Sequence, residues 1–282
     1  MKKTKRVLLF VLLAGISVAT LAGLPAHSQG SPEEVWREFM AWFKTASWEA
    51  NPTRDYFLKL RQEGVPAEEI ERRAGIIKNL FFSRREAVEI YYDRAFTRQP
   101  TGDPSMDVPT SPSALLVEAV KGLKPGTALD AGMGQGRNAV YLAQRGWNVI
   151  GFDISSGALA AAESNAKKAG VAITAVKGSY DDFDFGAGKW DLIVLTFAWA
   201  PMSDSAFVER LATGLRKNGR IVFEHFLDTP ERPRPAGIRA LRPGQLRSIF
   251  SAFEIESYKE FEATADWGGP GSRLVRAIAR KP

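Results

Sequence analysis

The chain contains no cysteine. That excludes a disulfide framework, a thiol nucleophile, an iron–sulfur cluster and any cysteine-based zinc site. Histidine is nearly as scarce, with only His27 and His225 in 282 residues. Neither charge sign dominates, since 38 Lys+Arg stand against 32 Asp+Glu, a formal net charge of +6. The composition, 45% hydrophobic and 25% charged, is that of an ordinary globular protein. The length is enough for one large core plus an appendage. Whether +6 implies a nucleic-acid partner depends on where the cations lie.

Four of them open the chain. Lys2, Lys3, Lys5 and Arg6 precede an uncharged run from Val7 to Leu24, and small residues at Ala26 and Ser28 close it. This is the pattern of a secretory signal over residues 1–28 with cleavage after Ser28. The run is also just long enough to serve as an uncleaved membrane anchor. Either reading exports the rest of the chain, because the flanking cations hold the amino terminus inside. The expected location is therefore periplasmic or extracellular. Removing the segment lowers the net charge to +2 and leaves His225 as the sole histidine. A metal site of several histidines is then excluded, and a Ser-His-Asp arrangement would have to use His225. A mature charge of +2, without aromatics interleaved among cations, gives no reason to expect nucleic-acid binding.

Residues 29–111 read as a helical region followed by a Pro-rich linker. Ser31-Pro32-Glu33-Glu34 is a helix start, with an N-cap, a first-turn proline and acids near the positive end of the dipole. Trp36, Phe39, Met40 and Phe43 mark its apolar face. A second helix begins at Pro66, and a third run carries Ala87, Ile90, Tyr91 and Phe96. Thr97 to Pro112 holds four prolines and reads as a linker or lid-forming loop.

From 112 to 282 the rhythm alternates. Strands are expected at 127–131, 148–153, 172–176, 190–196 and 220–226, with helices at 136–145, 156–170 and 204–215. Strands at 253–261 and 273–279 follow with no helix between them. The expected fold is α/β, a doubly wound, mostly parallel seven-stranded Rossmann-like sheet closed by an antiparallel hairpin, with a helical amino-terminal cap.

The most informative stretch is Asp130-Ala131-Gly132-Met133-Gly134-Gln135-Gly136, where a strand ends and a helix begins. Alternate glycines let the backbone turn tightly and approach a ligand. Asp153 closes the next strand, where a carboxylate can accept both ribose hydroxyls. Gly134-x-Gly136-x-x-Ala139 formally matches a dinucleotide fingerprint, with Asp153 as its ribose acid. Asp130 opposes that reading, because a carboxylate so close to a pyrophosphate is repelled. It suits a ligand bearing an ammonium and a sulfonium.

At these residues the chain resembles the class I S-adenosylmethionine-dependent methyltransferases, over roughly 112–282. The resemblance implies S-adenosyl-L-methionine as cofactor, with Asp130, Gly132, Gly134 and Gly136 at its methionine end. It implies Asp153 on the ribose and Ile154 beside the adenine. Gly178-Ser179-Tyr180-Asp181-Asp182 falls where the family places an acidic adenine contact, held here by Asp181 or Asp182, with Tyr180 beside it. Thr196, at the end of the fourth strand, completes the set. Arg242-Pro243-Gly244-Gln245-Leu246 is similar to the small-molecule branch, near the tellurite-resistance and thiopurine methyltransferases. The implied partner is a small-molecule acceptor.

Methyl transfer from a sulfonium is an in-line displacement, and a base is needed only when the acceptor holds its proton tightly. Phe197 and Trp199 read either as an acceptor-pocket wall or as core packing at a strand end. Tyr92 could fold over the site from the helical region. His225 is a candidate base, since an imidazole titrates near neutrality, or a structural residue. Arg232, Arg234, Arg239, Arg242 and Arg247 form a basic cluster that could guide an anionic acceptor or remain solvated. A binding module without catalysis and a nicotinamide-dependent oxidoreductase are the rival functions.

Overall fold

Strands with apolar residues on both faces need cover on both sides, and a computed structural model shows how the chain supplies it. The structure describes residues 30–47, 52–98, 107–230, 240–266 and 269–282. The expected signal segment, residues 99–106 of the Pro-rich linker, Arg232, Arg234 and Arg239 lie outside the described residues.

One seven-stranded sheet organises the chain, in the order β3-β2-β1-β4-β5-β7-β6. The strands are β1 (Thr127–Ala131), β2 (Asn148–Asp153), β3 (Thr174–Lys177), β4 (Trp190–Thr196), β5 (Leu215–Phe226), β6 (Glu254–Ala265) and β7 (Gly269–Arg280). The first five pair in parallel, and β7 runs antiparallel between β5 and β6. Strand β5 starts at Leu215 rather than the expected Arg220. Trp190 pairs with Leu215 and Leu192 with Arg220, so the intervening residues bulge, with Asn218 in the left-handed region at φ 63°.

Helices α5 (Ala114–Ala119), α6 (Arg137–Ala143) and α7 (Ser156–Lys168) cover one face through Leu116, Leu142 and Ala162, against Val149, Leu192 and Val222. Helices α8 (Ser205–Gly214) and α9 (Gln245–Ile249) cover the other through Phe207, Leu211 and Leu246, against Trp190, Ile193 and Phe223. Each layer is built from residues spaced to share one helical face. The short helices α5 and α9 were not expected, because five or six residues carry too little periodicity to read.

The helical region consists of α1 (Pro32–Thr45), α2 (Pro52–Gln62), α3 (Ala67–Leu80), a 3-10 turn at Phe81–Ser83 and α4 (Arg85–Thr97). Ser31 and Glu34 cap α1 reciprocally, the Ser31 N–H donating to Glu34 Oε2 at 2.7 Å. Val35, Phe39 and Phe43 pack with Tyr56, Leu60, Ile77 and Phe81 into a core separate from the sheet. Helix α2 was not expected, since only Tyr56 and Leu60 follow its starting proline into the core. Among the described residues no helix is long and apolar enough to cross a membrane.

Candidate functional site

The sheet order reverses between β1 and β4, and ligands of open α/β sheets bind in the crevice beyond the strands' carboxyl ends at such a point. The loop after β1 crosses this crevice. The N–H groups of Gly132 and Met133 both donate to the Phe152 carbonyl, at 2.9 and 3.0 Å, which pins the loop over β2. Gly132 has φ +75°, and a Cβ there would lie 2.6 Å from the Tyr180 hydroxyl and 2.8 Å from the Ala198 Cβ. Gly134 has φ +54°, and its Cβ would lie 2.8 Å from the Phe96 ring. Both positions therefore require glycine on conformation and on space.

Two buried carboxylates sit below this loop. Asp153 Oδ2 accepts the Gly134 N–H at 2.9 Å and Oδ1 accepts the Ser155 N–H at 2.9 Å. Burial still drives its pKa up, against the lowering effect of those donors. Asp130 is 2% exposed, and its Oδ2 lacks a hydrogen-bond partner. Burial pushes its carboxyl up to about 7, although the Arg137 charge and the Ala139 N–H both lower it. Tyr180 donates to the Ala131 carbonyl at 3.0 Å. Burial, with Asp153 and Asp130 nearby, raises its phenol well above 10, so it stays neutral.

Above these groups lies a cavity of about 570 Å³, within the range of small-molecule sites. Helix α4 roofs it with Tyr92 and Phe96, whose rings stack with centroids 6.2 Å apart. The roof is fastened at Asp93, whose Oδ1 accepts the Ser155 hydroxyl at 2.7 Å and the Gly157 N–H at 2.9 Å, at the start of α7. Ion pairs Arg85–Asp182 and Lys177–Glu89 flank it.

The opposite wall is aromatic. Phe197 adopts φ 53°, a conformation that costs a bulky side chain energy, and its N–H donates to the Glu224 carbonyl at 2.8 Å. Its ring and that of Trp199 lie 5.2 and 6.3 Å from Phe226. The Trp199 side chain lies beside the Tyr92 hydroxyl, bringing wall and roof together. Behind the wall runs a buried polar chain. Asn138 Nδ2 donates to the Thr196 hydroxyl at 2.8 Å, and Asn138 Oδ1 accepts the Ser113 N–H at 2.9 Å. Glu224, fully buried, accepts the Ser113 hydroxyl at 2.8 Å and Arg276 Nε at 2.6 Å.

Gly132, Gly134, Asp153, Ile154, Tyr180, Asp181, Thr196, Tyr92, Phe197 and Trp199 all line the cavity. Of the two acids left open at the adenine position, Asp181 lines it, whereas Asp182 turns to Ser179 and Arg85. Three expected residues do not line it. Asp130 lies beneath the loop. Gly136 faces α7, where a Cβ would sit 2.9 Å from the Ala162 Cβ, so its role is close helix packing. His225 is buried behind Trp199, ring centroids 4.3 Å apart, and its Nδ1 accepts the Phe226 N–H at 2.7 Å. That placement favours the structural one of its two readings. Of the basic cluster, Arg247 packs over the Tyr258 ring at 4.3 Å. Sequence reasoning missed Arg137, Asn138 and Phe96 as lining residues. The first two follow the glycine loop directly, which was the available signal. Among the described residues no His, Asp and Glu cluster could hold a metal ion.

The methyltransferase domain family matches residues 128–219, the span that carries this loop, both acids and β4. The part of the chain that holds the crevice thus matches a methyltransferase domain. A curated relative, the ribosomal RNA small subunit methyltransferase C of Alcanivorax borkumensis, is 36% identical over 85 residues, 29% of this chain and 26% of its own. The chain spans less than half the length of the curated relatives it matches. Among solved structures, TehB from Haemophilus influenzae superposes with a TM-score of 0.51 at 22% identity, over 59% of this chain and 61% of its own. The magnesium protoporphyrin IX methyltransferase of Synechocystis, solved with bound SAH, gives 0.53 at 18% identity, over 70% of this chain and 99% of its own. These likenesses show the fold.

The residues of the methyltransferase domain fit an adenosyl cofactor. Gly132 and Gly134 leave backbone bare where any Cβ would collide. Asp153 reaches the cavity as a hydroxyl acceptor. The buried Asp130 carboxyl, with one oxygen lacking a donor, lies beneath the loop that lines the cavity, where its charge favours a cationic ligand above the loop.

Proposed function

We propose that the protein transfers a methyl group from S-adenosylmethionine to a small-molecule acceptor outside the cytoplasm. The observation that carries the reading is one cavity with two unlike halves. Gly132, Gly134, Asp153 and Asp181 form the polar half, and Tyr92, Phe197, Trp199 and Phe226 the aromatic half. Asp153 and Asp181 would hold the ribose and adenine, and Asp130 the amino-acid end. When bound, the cofactor supplies an electrophilic methyl group.

The chain's own contribution is alignment and dryness. Tyr92 and Phe96 close the roof, and Trp199 braces Tyr92. The Tyr92 hydroxyl is held protonated by burial, and so acts as a hydrogen-bond donor. With His225 behind the wall, the acceptor half presents no imidazole. An acceptor with an available lone pair suits such a wall best. The roof narrows the site, which favours a small molecule over a macromolecular chain. Export follows from residues 1–28, read as a signal or anchor.

A labelled methyl donor offered with a panel of small acceptors, and separately with ribosomal RNA and protein, tests the reading. Label on a small acceptor is expected. Label confined to RNA or protein would refute the small-molecule assignment. Amino-terminal sequencing of the exported fraction tests cleavage after Ser28.

A further inference from the structure

The described lining of the cavity carries four charged residues, Arg85, Arg137, Asp153 and Asp181. Both guanidiniums are already matched by acids, Arg85 by Asp182 and Arg137 by Asp266 at 2.7 Å. Asp153 is held instead by the N–H groups of Gly134 and Ser155, and among the described residues it forms no ion pair. The cavity's residual charge is therefore negative. It repels an anionic acceptor and attracts a cation.

Rings supply the other half. Tyr92 and Phe96 line the roof, and Phe197, Trp199 and Phe226 the opposite wall. Phe197 and Trp199 are only half-buried, so each keeps ring surface open to the cavity. Phe197 holds its place in the left-handed region at φ 53°, a conformational cost borne at the cavity rather than in the core. Aromatic faces carry negative potential and attract cations. Rings on two sides also suit a flat aromatic body, which can stack between them. No group lining this half is placed to take up a proton. Burial keeps the Tyr92 hydroxyl protonated, and His225 lies behind Trp199.

These features constrain the acceptor atom. Without a base it must bring a free lone pair, which excludes alcohols and alkylamines that are protonated at neutral pH. A carboxylate or phenolate would lose its hydration against the rings and gain no partner. We propose that the acceptor is a flat aromatic molecule with a weakly basic nitrogen, and that Tyr92, Phe197 and Trp199 hold the cation it becomes. The inference rests on the methyltransferase reading and names its substrate class. In the step, the nitrogen lone pair forms the new N–C bond to the methyl group. The methyl–sulfur bond breaks and its electron pair stays on sulfur. The positive charge passes from sulfur to nitrogen, and no proton moves. Attraction to the rings grows as the nitrogen becomes positive, so the wall favours the transfer itself. The competing role is structural, since Phe197 and Trp199 also pack with Phe226, Ala265 and Leu274.

Two isosteres, offered to the protein saturated with S-adenosylhomocysteine, separate these cases by calorimetry. (3-Hydroxyphenyl)trimethylammonium has the form of a methylated product, and 3-tert-butylphenol has the same shape without the charge. The cation is expected to bind about fivefold or more tightly. Trp199→Leu is expected to cut that preference to about twofold or less, with S-adenosylhomocysteine affinity kept within about twofold. The kept affinity shows in the same experiment that the variant is folded. Equal binding of the isosteres, or tighter binding of the neutral one, would overturn the proposal in favour of a plain apolar wall. Binding of neither isostere to the S-adenosylhomocysteine complex would overturn this inference alone. An undiminished preference in Trp199→Leu, or its loss of S-adenosylhomocysteine binding, would return Trp199 to core packing and overturn its part. With labelled methyl donor and a panel of small acceptors, the labelled product is expected to be a permanent cation. Label only in neutral products would overturn this inference and leave the methyltransferase reading standing. No binding of S-adenosylhomocysteine by wild-type protein would overturn both.

Discussion

Replacing Asp130 by Asn should stabilise the ligand-free protein at pH 8 and weaken its ligand binding. The carboxyl is 2% exposed, and burial raises it from 3.8 to about 7. An acid raised in this way binds its proton more tightly in the folded chain than in the unfolded one. The stability that proton confers is present at low pH and is lost as pH rises from about 4 through about 7. The gap between 3.8 and about 7 corresponds to about 4 kcal/mol at pH 8. Asparagine stays neutral and keeps an oxygen for the Ala139 N–H. Its amide nitrogen would lack a partner, a cost of about 1–3 kcal/mol. The expected outcome at pH 8 is a net gain of about 1–3 kcal/mol for Asp130→Asn. Near pH 4 that gain should vanish or reverse. Urea unfolding of both proteins at pH 4.5, 6 and 8 measures the difference, and other titrating groups cancel between them. A difference independent of pH would refute the assignment of a buried, poorly solvated charge to Asp130.

Other expectations follow from the same geometry. Binding of a ligand that brings an ammonium to Asp130 should ionise it, so affinity should fall as pH drops below about 7. Proton release, read by calorimetry in buffers of different ionisation enthalpy, checks this. Asp153→Ala should weaken adenosyl-ligand binding about tenfold or more, about 1.4 kcal/mol; unchanged affinity would remove Asp153 from the site. Gly134→Ala forces an L side chain into φ +54° against Phe96, and should cost about 1–3 kcal/mol. Adding Phe96→Ala should recover only the steric share, so full recovery by thermal melting would contradict the conformational part. Glu224→Ala strands Ser113 and Arg276 and should cost about 2–3 kcal/mol, less than a fully buried pair because Arg276 is 31% exposed. A loss below about 0.5 kcal/mol in urea unfolding would show the network to be idle.

The central strands and the ligand loop were legible because their signals are local. Leu129, Asp130 and the alternate glycines announce a strand, a turn and a ligand within a few residues, and Asp153 follows at the next strand end. The roof was half legible. The apolar face of α4 placed Tyr92 near a lid, but nothing local to Asp93 shows that it caps α7 more than sixty residues later. Arg137 was overlooked for the same reason, since its partners Ser111 and Asp266 come from opposite ends of the domain. His225 reads either as a base or as a structural residue, because its strand ends at the right edge of the sheet. The side chain points into the layer behind Trp199, a matter of register that residue type does not encode.

The identity of the ligand in the crevice is decisive. Titration calorimetry of the folded protein with S-adenosylmethionine, S-adenosylhomocysteine and NAD tests it most directly. Saturable binding of both sulfur ligands is expected, weakened about tenfold or more by Asp153→Ala, with no comparable binding of NAD. Binding of NAD in preference to either sulfur ligand, or of no ligand at all, would contradict it.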